Sequence, residues 1–389
     1  MRKSISSVLA LLFGTLAVAA SSLTARGQVD EFLLIDQNLT SRQVRVTEIN
    51  GHALSYVDRA GTAYTAATGD CIALIRREGD SRARESRRLL LSDGQRLPGT
   101  VASGASPGGD CLAWVHPWLG RIDVPLDDIR AVVLQPGRPA PQPAGEDVIL
   151  LANGDRLEGI ITGAGDAITI EIGAGQAART ITVPLDRIAA AAMITPPKPA
   201  AGRRVFFRDG TVLGMRRFDV GADGYVRLTS ALTPAGAQPV QVVLSEITAV
   251  VFDPERVIPL GRLAPTRIES SAPRYVLPRP RTVGEDAPLG PAEIEYRGPL
   301  VVRYGLPAGC RRFAAEAILP RSARAWGNFE LIVRIGDEEV YRRRLNAEHP
   351  TDTINVPIAG RELIIELTQG ANGPIQDRLI LRRALLLVE

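Results

Sequence analysis

Histidine is nearly absent from this 389-residue chain: only His52, His116 and His349 occur, in three separate segments. A triad or a histidine-held metal needs such residues to converge. No His-Glu-x-x-His, Gly-x-Ser-x-Gly, P-loop or paired-cysteine spacing takes their place. The sequence thus offers no catalytic residue, no metal ligands and no cofactor, and the expectation is a non-enzyme. Lysine is scarcer still, with Lys3 and Lys198 alone beside arginine. Taking away residues 1–27 removes Arg2, Lys3 and Arg26 and brings the 46 basic residues to 43, equal to the 43 acidic ones. With that balance, and aromatics at 5%, no basic stripe with interleaved rings is present, so nucleic acid is not an expected partner. Three cysteines are an odd number for an exported chain. Either Cys71 and Cys111 form a disulfide, which requires their segments to abut, or all three are small core residues. Long apolar runs are missing beyond Val8–Ala20, which is shorter than the roughly 20 residues a spanning helix needs. With Arg2 and Lys3 before it and Ala19, Ala20, Ser21 and Ser22 closing it, that run reads as a signal peptide over residues 1–27. The expected localisation is therefore exported (periplasmic, cell-envelope associated or secreted), with no transmembrane segment after cleavage.

What the chain does have is repetition. Hydrophobic residues at 45% and charged ones at 23% suit folded modules, and the length suits several. Three segments share one plan: an apolar strand, an Asp-Gly or Asn-Gly turn, further strands, and a closing Leu-x-x-Ile stretch. They run from Leu89 to Leu134, Val148 to Ala189 and Val205 to Phe252. The turn glycine and closing isoleucine are 35, 34 and 37 residues apart (Gly94 to Ile129, Gly154 to Ile188, Gly210 to Ile247). A less regular copy precedes them, with Asn50-Gly51 as its hairpin and Asp70 to Ile75 as its close. Asp-Gly and Asn-Gly supply the positive φ of a tight hairpin. Ile168, Ile170 and Ile172 then alternate with Thr169 and Glu171, so one face of the sheet is apolar. Short strands with one apolar face hide it by curling, and each copy resembles an Sm-like or SH3-like small β-barrel. The expected modules are 29–80, 87–136, 146–195 and 203–254, with the proline-rich Pro136–Pro143 and Pro196–Pro199 as stiff spacers.

From about Arg256 onward the pattern becomes that of an antiparallel sandwich. Phe313, Ala315, Ala317 and Leu319 alternate, as do Phe329, Leu331, Val333 and Ile335, then Ile354, Val356 and Ile358, then Leu363, Ile365 and Leu367. Pro259-Leu260-Gly261-Arg262-Leu263-Ala264-Pro265, Val302–Ala315, Val333–Tyr341 and Ile375-Gln376-Asp377-Arg378 make residues 257–389 similar to the NPCBM/NEW2 family. That family's Asp-His-x-x-Trp close is met by Asp377, with Arg378 and Leu381 in the later positions. The resemblance implies a jelly-roll, galactose-binding-like sandwich and a carbohydrate-binding role. A sugar site combines an aromatic platform with planar polar groups, and the candidates are Trp326, Asn328, Asn346, Asn372, Gln376, Asp377 and Arg378. The other reading of this set is that Trp326 plugs the end of the sandwich and Asn372-Gly373 is simply a turn.

The fold expected is all-β, with tandem small β-barrels followed by a C-terminal β-sandwich. The function expected is non-catalytic binding of a glycan or envelope polysaccharide through the sandwich. Its rival is a scaffold whose partner is a cell-envelope protein.

Overall fold

The computed structural model describes residues 31–76, 86–103, 110–173, 175–199, 202–234, 236–270, 279–284, 287–370 and 372–389. The signal-peptide segment 1–27 lies outside the described residues. Within them the protein is all-β, built of strands and single 3-10 turns. No described helix is long and apolar enough to cross a membrane.

Each copy begins and ends on paired strands. In the first, Glu31–Asp36 pairs with Cys71–Arg76, and in the second Arg88–Leu91 pairs with Ile129–Val133. In the third, Asp147–Leu151 pairs with Ile188–Ala192, and in the fourth Arg203–Phe207 pairs with Ile247–Val251. A bulge interrupts every one of these four ladders, which bends the strands enough for a sheet this short to curl. A 3-10 turn leads into each closing strand: Thr68–Asp70, Leu126–Asp128, Leu185–Arg187 and Leu244–Glu246. Gly94, Gly154 and Gly210 occupy the opening turns at φ +83, +97 and +88. The first copy makes the same turn at Asp36–Leu39, where Leu39 holds φ +57 and donates its N–H to the Asp36 carbonyl. Asn50-Gly51 belongs instead to the following hairpin, between Ser41–Ile49 and Ala53–Asp58. A left-handed leucine costs about 1 kcal/mol or more. Burial of Leu39 between the first copy and the sandwich offsets that cost.

The copies do not stand apart on spacers. The closing strands of copies one and four pair through Ala73↔Val251, Leu74↔Val250 and Ile75↔Ala249. Those of copies two and three pair at the equivalent places, Ala131↔Ala192, Val132↔Ala191 and Val133↔Ala190. A further bridge, Arg96↔Val212, joins copies two and four. One apolar core consequently runs through all four. The reason is size: about 50 residues bury too little surface alone. An all-apolar closing strand such as Ile188–Ala192, buried along its whole length, would otherwise be an exposed sticky edge. This arrangement corrects the disulfide expectation. Cys71 and Cys111 are free, and the strands of copy one pair with one another and with copy four but not with copy two among the described residues. Cys71 is buried, and its thiol donates to the Ala67 carbonyl at 3.4 Å.

Residues beyond the repeats form two stacked sheets. One contains Arg281–Val283, Glu293–Arg297, Arg378–Val388, Cys310–Ile318 and Thr351–Pro357, with Val257–Pro259 also on Arg378–Val388. The other contains Arg267–Glu269, Leu300–Gly305, Glu362–Leu367, Phe329–Ile335 and Glu338–Leu345. The alternating residues named above all face the layer between them. A smaller apolar cluster, including Ile35, Leu39, Val251, Leu385 and Leu387, seats the sandwich on copies one and four.

Candidate functional site

The end of the sandwich where Cys310–Ile318 finishes and Arg378–Val388 begins gathers three loops. Residues 319–328 leave the first strand through a 3-10 turn at Arg321–Ala323, and residues 368–370 and 372–377 lead into the second. Residues 298–299 form the turn between Glu293–Arg297 and Leu300–Gly305. Glycine lets them meet. A Cβ on Gly327 would lie 2.8 Å from the Gln376 carbonyl oxygen, and one on Gly370 would overlap the Asn328 carbonyl.

Asp377 stitches the three loops together. Its Oδ1 accepts the Asn328 N–H at 3.2 Å, its carboxylate also accepts from the Gly370 backbone, and its carbonyl accepts the Gly298 N–H at 2.7 Å. The side chain is 2% exposed and Oδ2 has no partner. Burial pushes the carboxyl up to about 6, against the downward pull of the Asn328 and Gly370 N–H donors.

The first of these loops also carries an exposed indole. Trp326 is 56% exposed, and so is Ile375. They precede Gly327 and Gln376, the two residues whose backbones pack together. The plug of the sandwich end is not Trp326 but Leu319, Ala323 and Phe329, with Tyr296 and Tyr304 sharing a 2.9 Å hydroxyl bond beneath. Asn372 Nδ2 donates to the Trp326 carbonyl at 2.9 Å, while Gly373 at φ +70 makes Asn372-Gly373 a turn as well.

The remaining candidates divide. Asn328 contributes its backbone. Gln376 sits at φ +59, and its Oε1 is buried without a partner. Arg378 is engaged: its Nε and Nη2 reach Glu295 Oε1 at 3.1 and 2.8 Å. Burial raises the Glu295 carboxyl, but hydrogen bonds from Arg378 and Arg297 outweigh it and hold the group below its ordinary value. Asn346 caps its own turn, its Oδ1 accepting the Glu348 and His349 N–H groups. Ile375, Arg321 and Arg324 also lie at this end, and residue type alone does not mark them as site candidates. Among the described residues, no three His, Cys, Asp or Glu side chains gather closely enough to hold a metal ion.

No family model matches the chain, and no curated protein matches it. Solved structures do. CBM51 from Clostridium perfringens GH95, in complex with methyl-galactose, is 11% identical, covers 33% of this chain and 99% of its own, and gives a TM-score of 0.28. The tandem CBM51 modules of a family 98 glycoside hydrolase from Streptococcus pneumoniae are 10% identical over 92% of this chain and 88% of theirs, also at 0.28. CBM51-2 with the INT domains of Clostridium perfringens ZmpB, in complex with GlcNAc, is 11% identical at 0.29 and covers 51% of this chain. This chain spans only 44% of that one. Overlaps this shallow define neither a shared ligand nor a shared site.

Proposed function

We propose that this is an exported, non-catalytic binding protein that takes a glycan of the cell envelope on the Trp326 end of its sandwich. One observation carries the reading: an indole left mostly in water on a loop whose backbone is held by Asp377 and by close glycine contacts. An exposed indole on an anchored loop suits the apolar face of a sugar ring, and prior fixation of the backbone lowers the entropy cost of binding.

The test is retention of the whole chain in gels cast with soluble polysaccharides. Trp326→Ala is expected to weaken retention at least about tenfold, equivalent to about 1.4 kcal/mol, without moving the melting temperature. Equal retention of the variant, or no retention of the parent, would sink the reading.

A second reading has its own observation. Among the described residues, Ala63–Ala67, Gly120–Pro125, Arg179–Pro184 and Val240–Val243 each pair on one side only. Such edges fit a protein partner that adds a strand. Parent protein that ignores every polysaccharide but captures one envelope protein, independently of Trp326, would favour it.

A further inference from the structure

The loop that presents Trp326 also carries Arg321 and Arg324, and their situation differs from that of most arginines in the sandwich. Many of the others end on carboxylates: Arg334 on Glu366, Arg342 on Glu330 and Glu339, Arg382 and Arg383 together on Glu316. Neither Arg321 nor Arg324 meets a carboxylate among the described residues. Arg324 Nε reaches only the Leu319 carbonyl, at 3.4 Å. Arg324 continues the turn at φ −65, ψ −25, with its N–H on the Arg321 carbonyl. Residues three apart in so tight a turn share one face.

The acids of this end do not answer them. Asp377 is enclosed beneath the loops, and Glu295, 16% exposed, is held by Arg378 and Arg297. Glu348, on the turn brought alongside by the Leu319 N–H to Pro350 carbonyl bond, is the one exposed acid on the neighbouring turn. Two guanidinium groups without a carboxylate partner thus share one short loop with an exposed indole. A guanidinium is a planar fork matched to carboxylate, sulfate or phosphate oxygens.

Resting on the glycan reading above, we propose that the ligand is an anionic polysaccharide: Trp326 stacks on a sugar ring while Arg321 and Arg324 meet its acidic groups.

Matched probes test this on the whole chain: dextran, carboxymethyl-dextran, dextran sulfate, and duplex DNA as a polyanion without sugar faces to stack on. The expected result is retention by one or both charged dextrans, weakening as salt rises, with little retention by dextran. The two charged forms separate a carboxylate from a sulfate-like ligand. The Arg321→Ala/Arg324→Ala double variant is expected to lose at least about tenfold. Arg361→Ala, at the opposite end of the sandwich, is expected to lose nothing. Equal retention by dextran, untouched by the double variant, overturns the anionic ligand and leaves the glycan reading standing. Retention by none of the polysaccharides overturns both. DNA bound as well as the charged dextrans, with no dependence on Trp326, overturns the proposal in favour of general polyanion attraction.

Discussion

Acidification from neutral pH to about pH 4 is expected to cost the four-copy half of the molecule about 3 kcal/mol of stability, through the single imidazole of His116. His116 ends the strand Cys111–His116 in copy two and is 1% exposed. Its Nδ1 accepts the N–H groups of Trp118 at 3.2 Å and Leu119 at 3.3 Å. The proton therefore sits on Nε2, which donates to Thr211 Oγ1 of copy four at 3.2 Å. Trp118 stands edge-on to the imidazole and packs edge-on against Phe207 of copy four, so the ring lies at the seam between copies. Burial pushes His116 down from about 6.5 to about 4, and the Asp209 carboxylate recovers only part of the shift. An unfolded histidine takes a proton as pH falls through 6.5, whereas the folded one resists until about 4. Stability is therefore whole above 6.5 and drains away between those values. Urea titrations in a Trp326→Phe background, where the remaining indoles are Trp114 and Trp118 of copy two, would read the loss. His116→Asn keeps an acceptor for the two N–H groups but cannot charge. It is expected to lose about 1 to 2 kcal/mol at neutral pH, with the Thr211 bond, and to show little of the acid slope. A slope that persists in the variant assigns the acid effect to another group.

The strands were legible because their side chains alternate and only one face of each sheet finds a core. Phe313, Ala315, Ala317 and Leu319 point inward, as do Leu363, Ile365 and Leu367. The opening turns were legible where glycine marks them, at Gly94, Gly154 and Gly210, and hidden where Leu39 adopts the same conformation. Alternation tells which face of a strand is wet but not which edge meets which, so the pairing of copies one with four and two with three was out of reach. A hint lay in Ile188-Ala189-Ala190-Ala191-Ala192, apolar without alternation, as a strand covered on both faces is. At the sandwich end, residue type was enough to single out Trp326 and Asn372. It could not show that Arg378 is taken by Glu295, 83 residues away, or that Asn346 bonds only within its own turn. The spacing Arg321-Ser322-Ala323-Arg324-Ala325-Trp326 was visible too. Its meaning comes from what those arginines fail to meet in space.

Asp377 predicts a pH response of the sandwich opposite in sign to that of the repeats. Its carboxyl lies out of water, with Oδ1 against the Asn328 N–H and Oδ2 facing no donor, so ionisation is disfavoured in the fold. The folded group titrates near 6 and the unfolded one near 3.8. Between those values the folded state holds the proton that the unfolded state gives up. Its contribution is complete below 3.8 and is lost as pH rises through about 6, a change of about 2 to 3 kcal/mol. Hydrogen exchange of the sandwich strands, corrected for the intrinsic pH dependence of exchange, is expected to show more protection at pH 5 than at pH 7. Over the same interval the strands around His116 are expected to show less. Asp377→Asn keeps the oxygen that accepts from Asn328 and removes the charge. The variant sandwich is expected to gain about 2 kcal/mol at neutral pH and to lose its slope. Because the asparagine side chain still ties residue 328, and the main-chain carbonyl of residue 377 still holds residue 298, the loops beneath Trp326 stay in place and the variant is also expected to retain polysaccharide as the parent does. A variant that opens earlier than the parent at neutral pH would mean that the charge on Oδ2 is stabilised in the fold, and that the strain assigned to the ionised carboxylate is absent.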